Sequence, residues 1–341
     1  MKMKNGLPLQ GGLAMALLSL SANAFSHVRW FVEDKEQYSA VRFDVDTLSL
    51  VLVLCAVLYG VFCIFLNAQN DKNSILSVSL FKRFSLKGVE WSLLKASVAL
   101  MFIANMFGPS FVAPNLDGAL VGKDLFFILQ GMILISLAFS EVVLGVAVLA
   151  LTSSIVVFYG MDLAVDYAFE FVGLAIFFCL LGMRKAALTR RYLPWSEMDY
   201  VDMAVHALRI GVGLQLVVLA IHNKFMNPAL GLAFLGDYPS FNFMHFLGIK
   251  QFDDIHFVLS AGLAELSFGL LLVLNIATRF VALSVMFFFS LTSFLLGYHE
   301  LVGHLVILAA LLIIALHPSR AKQSFAKLAA GIPVFHRVER V

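Results

Sequence analysis

The chain has 341 residues, of which 61% are hydrophobic and only 13% are charged, and its mean hydropathy is +0.91. These values exclude a soluble domain of this length, because too few polar residues remain to cover its surface. The basic residues behind the net charge of +2 form short clusters between apolar stretches, which argues against nucleic-acid binding. The composition predicts an all-α, polytopic transmembrane helix bundle in a lipid bilayer.

Residues 1–26 have the pattern of a cleavable signal peptide. A basic start and the apolar run 13–20 precede a small-x-small motif that ends at Ala24. Cleavage after Ala24 and cleavage after Ser26 both fit the motif. The second site would make His27 the new N-terminus, where its amine and imidazole could bind copper. Alternatively, the aromatic residues after His27 anchor this segment at the membrane interface.

Nine apolar stretches follow, close to the length of about 20 residues that a helix needs to cross a bilayer. The predicted spans are 46–67, 88–107, 124–151, 152–166, 167–183, 204–224, 254–275, 277–297 and 299–317. The predicted domains are a periplasmic segment with the first span (27–67), a four-helix unit (88–183), a basic cytoplasmic linker (184–203), a second four-helix unit (204–317) and a basic cytoplasmic tail (318–341).

The basic residues predict the orientation of these spans. With the processed N-terminus outside, the basic clusters in 68–87, 184–203 and 318–341 all fall on the cytoplasmic side, together with Arg279. This distribution satisfies the positive-inside rule. The predicted outer segments are acidic instead. We therefore expect a protein of the bacterial inner membrane with its N-terminus in the periplasm.

The second unit carries ionisable residues inside its apolar spans. These residues are Glu265, His299, Glu300 and His304. Such groups are costly in a membrane unless they are paired, and they commonly mark functional sites. Glu265 lies about 16 Å along its helix from Asp254. Its possible partners are Arg209, His222, Lys224, Glu300 and His304, and the sequence leaves the choice open.

The spacing of the last three residues excludes a zinc-protease helix. That motif needs two histidines four residues apart on one helical face. His299 and His304 are five apart, which separates them by roughly 140° around a helix. Glu300 and His304 are four apart and share a face. They therefore form the expected pair, as a plain buried hydrogen bond or as a carboxylate that orients a working imidazole.

A weak internal repeat links the two units. Residues 141–145 resemble 265–269, since each begins with Glu and ends with Gly, and residues 170–174 resemble 300–304, since each has Glu first and Gly fourth. His304 corresponds to Leu174 in this alignment. The repeat predicts two tandem units of the same direction, with the chemistry in the second.

Residues 204–317 resemble the DoxX-like family of small four-helix membrane proteins. The resemblance is carried by Arg209 with Gly211, the segment His222-Asn223-Lys224-Phe225-Met226-Asn227-Pro228, Glu265 with Gly269, Ala277-Thr278-Arg279, and Glu300 with His304. It implies a four-helix bundle. It also implies a role near those of its relatives, which include membrane subunits linked to thiosulfate oxidation with quinone as acceptor and proteins of redox defence or metal stress.

Three functions remain open from the sequence. In the first, a redox-linked subunit works with a partner subunit and interacts with quinone; its catalytic candidates are Glu265, Glu300 and His304, and its cofactor-binding candidates are Arg209, His222 and Lys224. In the second, a periplasm-facing protein handles a metal such as copper through His27, His222, His256, His299 and His304. In the third, the buried polar groups only fix helix packing in an accessory protein.

Overall fold

The computed structural model describes residue 32 and residues 42–70, 89–108, 111–113, 115–116, 123–184 and 197–317. The regular structure of these residues is entirely helical. The helices are α1 (Thr47–Asn70), α2 (Val89–Phe107), α3 (Lys123–Phe139), α4 (Glu141–Ala164), α5 (Ala168–Met183), α6 (Glu197–Leu219), α7 (Pro228–Asp237), α8 (Asp254–Val273), α9 (Thr278–Leu296) and α10 (Tyr298–Leu316). The predicted signal peptide, His27 and the predicted tail 318–341 lie outside the described residues.

Six of the described helices are long and apolar enough to cross a membrane. They are α1, α2, α4, α6, α8 and α9. Three more helices, α3, α5 and α10, contain shorter apolar stretches of the same character. Large apolar side chains are exposed along the outer face of α1, among them Leu50, Leu54 and Ile64, as on a helix that faces lipid. The chain therefore has the architecture of a multi-pass membrane protein.

The boundary between the third and fourth predicted spans differs in the structure. The sequence predicts a boundary at 151–152, whereas the helix breaks at Ser140. Ser140 has extended backbone angles, and its hydroxyl accepts a hydrogen bond from the N–H of Val142. This is an N-cap, and Glu141 in the first turn adds favourable charge at the helix start. A continuous apolar run concealed this cap in the sequence.

The segment between the sixth and seventh predicted spans contains a short helix and ordered turns. Helix α6 first widens into a π-helical turn, Ala220–Phe225, and α7 and a 3₁₀ turn, Pro239–Phe241, follow it. Gly231 of α7 packs against Val258 of α8. This segment thus covers the first half of α8 with its own small apolar core.

Contacts at both ends of α1 and α8 show that these helices run parallel. Asp46, just before α1, contacts His256 in the first turn of α8 at 3.0 Å. Near the end of α1, Asn67 Oδ1 accepts a hydrogen bond from the N–H of Ala277 at 3.2 Å, just beyond α8. The sequence predicts the same relation, since both spans are expected to begin outside.

Helix α6 runs antiparallel to α8 and to α5. Arg209 in α6 reaches the last carbonyl groups of α8, and Lys224 after α6 reaches the middle of α8. On its other side, Gly211 packs against Gly173 of α5 so closely that an added Cβ would lie 2.7 Å from the Gly173 Cα. Because α5 packs on α6 and α10 packs on α2, the two predicted units share one continuous apolar core.

One end of the bundle is acidic. The carboxylates of Asp46, Asp162, Asp166 and Asp253 lie there with His222 and His256. We call it the acidic end. The segments predicted to be basic leave α1, α5 and α10 at the opposite end, where His317 after α10 also contacts Glu90 of α2 at 2.9 Å.

Candidate functional site

The buried charge pair Lys224–Glu265 lies at the centre of the second unit. Lys224 Nζ donates a hydrogen bond to Glu265 Oε1 at 2.8 Å, and both side chains are at least 97% buried. Glu265 lies halfway along α8. Lys224 belongs to the π-helical turn. It packs closely on Gly262, since a Cβ added at Gly262 would lie only 3.2 Å from the Lys224 Cβ. Two opposite charges in such surroundings are tolerable only because they compensate each other.

Glu300 and His304 form a second buried pair in the first two turns of α10. Helices α9 and α10 fold back on each other at Gly297, so the His304 ring stacks on Phe289 with 4.4 Å between centroids. His304 Nδ1 lies 3.2 Å from Glu300 Oε1. Its hydrogen bond goes instead to the Glu300 carbonyl oxygen at 3.1 Å, because the carboxylate oxygen lies outside hydrogen-bonding geometry. Both side chains are fully buried.

The two pairs belong to one polar cluster. His304 is close enough to Glu265 for their charges to interact. We define the central cluster as Lys224, Glu265, Glu300 and His304. It contains two carboxyl groups, one amine and one imidazole, so one additional proton decides whether its formal charge is negative or zero.

Three oxygen atoms of the central cluster accept no hydrogen bond from the described residues. They are Oε2 of Glu265 and both carboxylate oxygens of Glu300, and all three are buried. A buried acceptor without a donor is costly, and native structures retain one mainly where it has a task. These oxygens can accept a hydrogen bond from a ligand hydroxyl, or they can take a proton.

His222 lies beside the central cluster and contacts two other carboxylates. Its Nε2 lies 3.0 Å from Asp162 Oδ1, and its Nδ1 lies 3.1 Å from Asp166 Oδ1. Asn223 also donates to Asp166, at 3.1 Å. Asp162 and Asp166 fall at the end of the predicted span 152–166, and the sequence does not predict their contact with His222.

His256 is also bound between two carboxylates, at the start of α8. Its ring nitrogens lie 2.5 Å from Asp253 and 3.0 Å from Asp46. The pKa of Asp46 is lowered to about 2, mainly because Ser49 forms hydrogen bonds to the carboxylate through its side chain and its backbone N–H. Asp253 caps α8 by accepting from the N–H of His256. His256 thus ties the start of α1 to the start of α8.

Arg209 lies away from the central cluster, at the opposite end of α8. Its guanidinium donates to the carbonyl oxygens of Leu272 and Val273, and it contacts His206 Nδ1 at 2.7 Å. Those carbonyls have no partner inside α8, because they belong to its last turn. Of the three predicted cofactor-binding residues, the structure therefore brings only Lys224 into direct contact with Glu265.

The predicted metal ligands do not come together in the described part of the chain. His222, His256 and His304 belong to three separate groups, while His27 and the His299 side chain lie outside the described residues. No group of three or more His, Cys, Asp or Glu residues suited to a metal ion occurs among the residues that the structure describes.

Comparisons of this chain with protein-family models, with curated proteins and with solved structures find no match.

Proposed function

We propose that this protein is a redox-linked membrane subunit that interacts with a quinone and exchanges protons with it at the central cluster. The observation that carries the proposal is the arrangement of Lys224, Glu265, Glu300 and His304: two carboxyl groups, an amine and an imidazole from three helical elements meet inside a membrane bundle. Ionisable groups at such positions are typical of proton pathways. The resemblance of residues 204–317 to DoxX-like proteins supports the same function.

The chemistry of a quinone suits this cluster. Reduction of a quinone to a quinol consumes two electrons and two protons. We propose that the electrons come from a partner redox subunit and that the central cluster supplies protons. The three buried oxygens of Glu265 and Glu300 fit the hydroxyl groups of a quinol as hydrogen-bond acceptors. When bound, the quinone would contribute the redox chemistry that no amino-acid side chain offers.

The proposed location is the bacterial inner membrane with the acidic end on the periplasmic side. The helix directions support it, because the basic segments 71–88, 185–196 and 318–341 all join helices at the end opposite to Asp46 and His256. The positive-inside rule then assigns that opposite end to the cytoplasm. Cleavage of residues 1–26 would leave the N-terminus in the periplasm.

The substitution Glu300→Gln tests this function. It keeps the size of the side chain and removes its ability to carry a proton, and the Glu300 carboxylate has no hydrogen bond in the described part that the change would break. We expect quinone-dependent electron transfer in membranes to fall about tenfold or more, as is typical when a proton-transferring group is lost. Glu90→Gln is the matched control, since Glu90 is also buried beside a histidine but lies at the opposite end.

Two results would contradict the proposal. One is unchanged quinone-dependent activity in Glu300→Gln and in Glu265→Gln. The other is an equal loss of activity in Glu90→Gln, which would indicate a general effect of a removed buried carboxyl group. Thermal unfolding of each variant in detergent separates a loss of activity from a loss of fold.

A further inference from the structure

Asp162, His222 and Asp166 form a continuous chain of titratable groups from the surface into the protein. Asp162 is 71% exposed, the His222 side chain is 18% exposed and the Asp166 side chain is 2% exposed. The two contacts, 3.0 Å and 3.1 Å, use both nitrogens of the imidazole. One carboxylate is therefore in water and the other is buried, with a single ring between them.

The π-helical turn joins this chain to the central cluster. His222 and Asn223 both contact Asp166, and the next residue, Lys224, contacts Glu265. Asn227 fixes the turn by donating to the His222 carbonyl oxygen at 2.8 Å. Single π-helical turns in α-helices commonly occur at functional sites. The wider turn presents three consecutive polar side chains to two different groups of carboxylates.

We infer that Asp162, His222 and Asp166 are the proton entrance of the central cluster. The inference rests on the proposed proton exchange at that cluster but does not depend on the quinone. Asp162 takes a proton from water and passes it to Nε2 of a His222 ring that carries its own proton on Nδ1. The imidazolium then releases the Nδ1 proton to Asp166. One proton has entered, Asp162 is again a carboxylate, and the neutral His222 ring now carries its proton on Nε2.

The groups that face His222 and its neighbours fit this direction of transfer. Helix α4 contributes Asp162, the turn after it contributes Asp166, and α8 contributes Glu265 opposite Lys224. Asp166 lies in the turn between α4 and α5, and its hydrogen bond from Asn223 places it beside the residue that precedes Lys224, the partner of Glu265. The charge around Asp166 and Glu265 is therefore set by Asp162, Asp166, Lys224 and Glu265 together.

His256 provides a matched control, because its ring also lies between two carboxylates. Both of its partners are exposed, Asp253 by 60% and Asp46 by 45%. An imidazole in that position links two solvent-exposed carboxylates and does not lead to a buried carboxylate. Loss of His256 should therefore affect the packing of α1 on α8 without affecting proton entry.

The experiment measures how fast the central cluster takes up a proton. The full chain is placed in lipid nanodiscs, the pH is lowered in a rapid jump, and time-resolved infrared absorption follows the protonated carboxyl signal that Glu300→Gln removes. We expect Asp166→Asn and His222→Gln to slow this signal by about tenfold or more, with the amplitude at equilibrium retained. Asp162→Asn should slow it less, because water can reach His222 directly. His256→Gln should leave the rate unchanged.

Wild-type rates in Asp166→Asn and His222→Gln would overturn the inference. Absence of any carboxyl signal that depends on Glu300 in the wild type would overturn it as well, since nothing would then be delivered. If Asp166→Asn fails to fold, the exposed Asp162→Asn and the rescue variant Asp166→Glu decide the question by their rates. The readout contains no redox step, so a failure of the quinone proposal appears separately, in the activity of Glu300→Gln.

Discussion

The buried charges of this protein show how far single residues can be predicted. An apolar span that contains a carboxylate predicts a paired group, and Glu265 is paired. The partner was not predictable among five candidates, because the π-helical turn at Ala220–Phe225 shifts the faces of the residues that follow it. Regular helical periodicity cannot anticipate that shift. Glu300 and His304 were recognisable as neighbours because their spacing of four residues fixes their contact.

Removal of one partner from the central pair should destabilise the protein strongly. In Lys224→Met the Glu265 carboxylate is left buried without its compensating charge, and we expect a loss of about 3–5 kcal/mol of unfolding free energy. The double variant Lys224→Met with Glu265→Leu should recover most of this loss, because it removes both charges. Equilibrium unfolding in detergent measures both effects. A single variant as stable as the wild type would show that the pair is not buried.

The start of α1 should respond to acid in a defined range. Asp46 has a pKa lowered from 3.8 to about 2, so its ionised form is favoured in the folded protein. Its contribution to stability is therefore complete above pH 3.8, declines below it and disappears as the pH falls through about 2. The stability difference between wild type and Asp46→Asn, followed by acid titration of unfolding, should shrink in that window. A constant difference down to pH 2 would contradict the hydrogen bonds that Ser49 forms to Asp46.

The helices illustrate what periodicity and composition establish and what they miss. Seven of the predicted spans each coincide with one helix of the structure, whereas the predicted spans 124–151 and 152–166 divide α3 and α4 in the wrong place. The break at Ser140 was missed because hydropathy averages over a cap of one residue. Helix α7 was missed because its ten residues are too few to cross a bilayer, so a prediction based on span length omits it. Short elements depend on local hydrogen bonds and packing, which hydropathy does not detect.

The close packing of α5 against α6 should depend on glycine. A Cβ at Gly211 would lie 2.7 Å from both the Gly173 Cα and the Phe169 carbonyl oxygen, and backbone atoms cannot yield locally. We expect Gly211→Ala to cost about 1–3 kcal/mol of unfolding free energy through overpacking. Gly131→Ala is the control, since no atom lies within 4 Å of its added Cβ. Equal stability of the two variants would contradict the packing.

At the scale of the whole molecule, the relative directions of the described helices were predictable from the sequence, whereas the candidate site could be located only from the fold. The alternation of basic and acidic segments predicted which helix ends lie together, and the helix directions agree with it. The site was predictable only as a set of candidates, because Lys224 and Glu265 lie 41 positions apart in the chain and the pair Glu300–His304 comes from a third element, α10. Arg209 and His256 carry side chains of the kind found in functional sites, but in the structure they connect the ends of helices.

The most direct test of the account is an equilibrium pH titration of the protonated carboxyl groups by infrared difference spectroscopy in lipid nanodiscs. We expect Glu265 and Glu300 to belong to one cluster with His304, so that Glu300→Gln removes one carboxyl signal and also shifts the other. Two independent signals, each unaffected by substitution of the other residue, would contradict the central cluster.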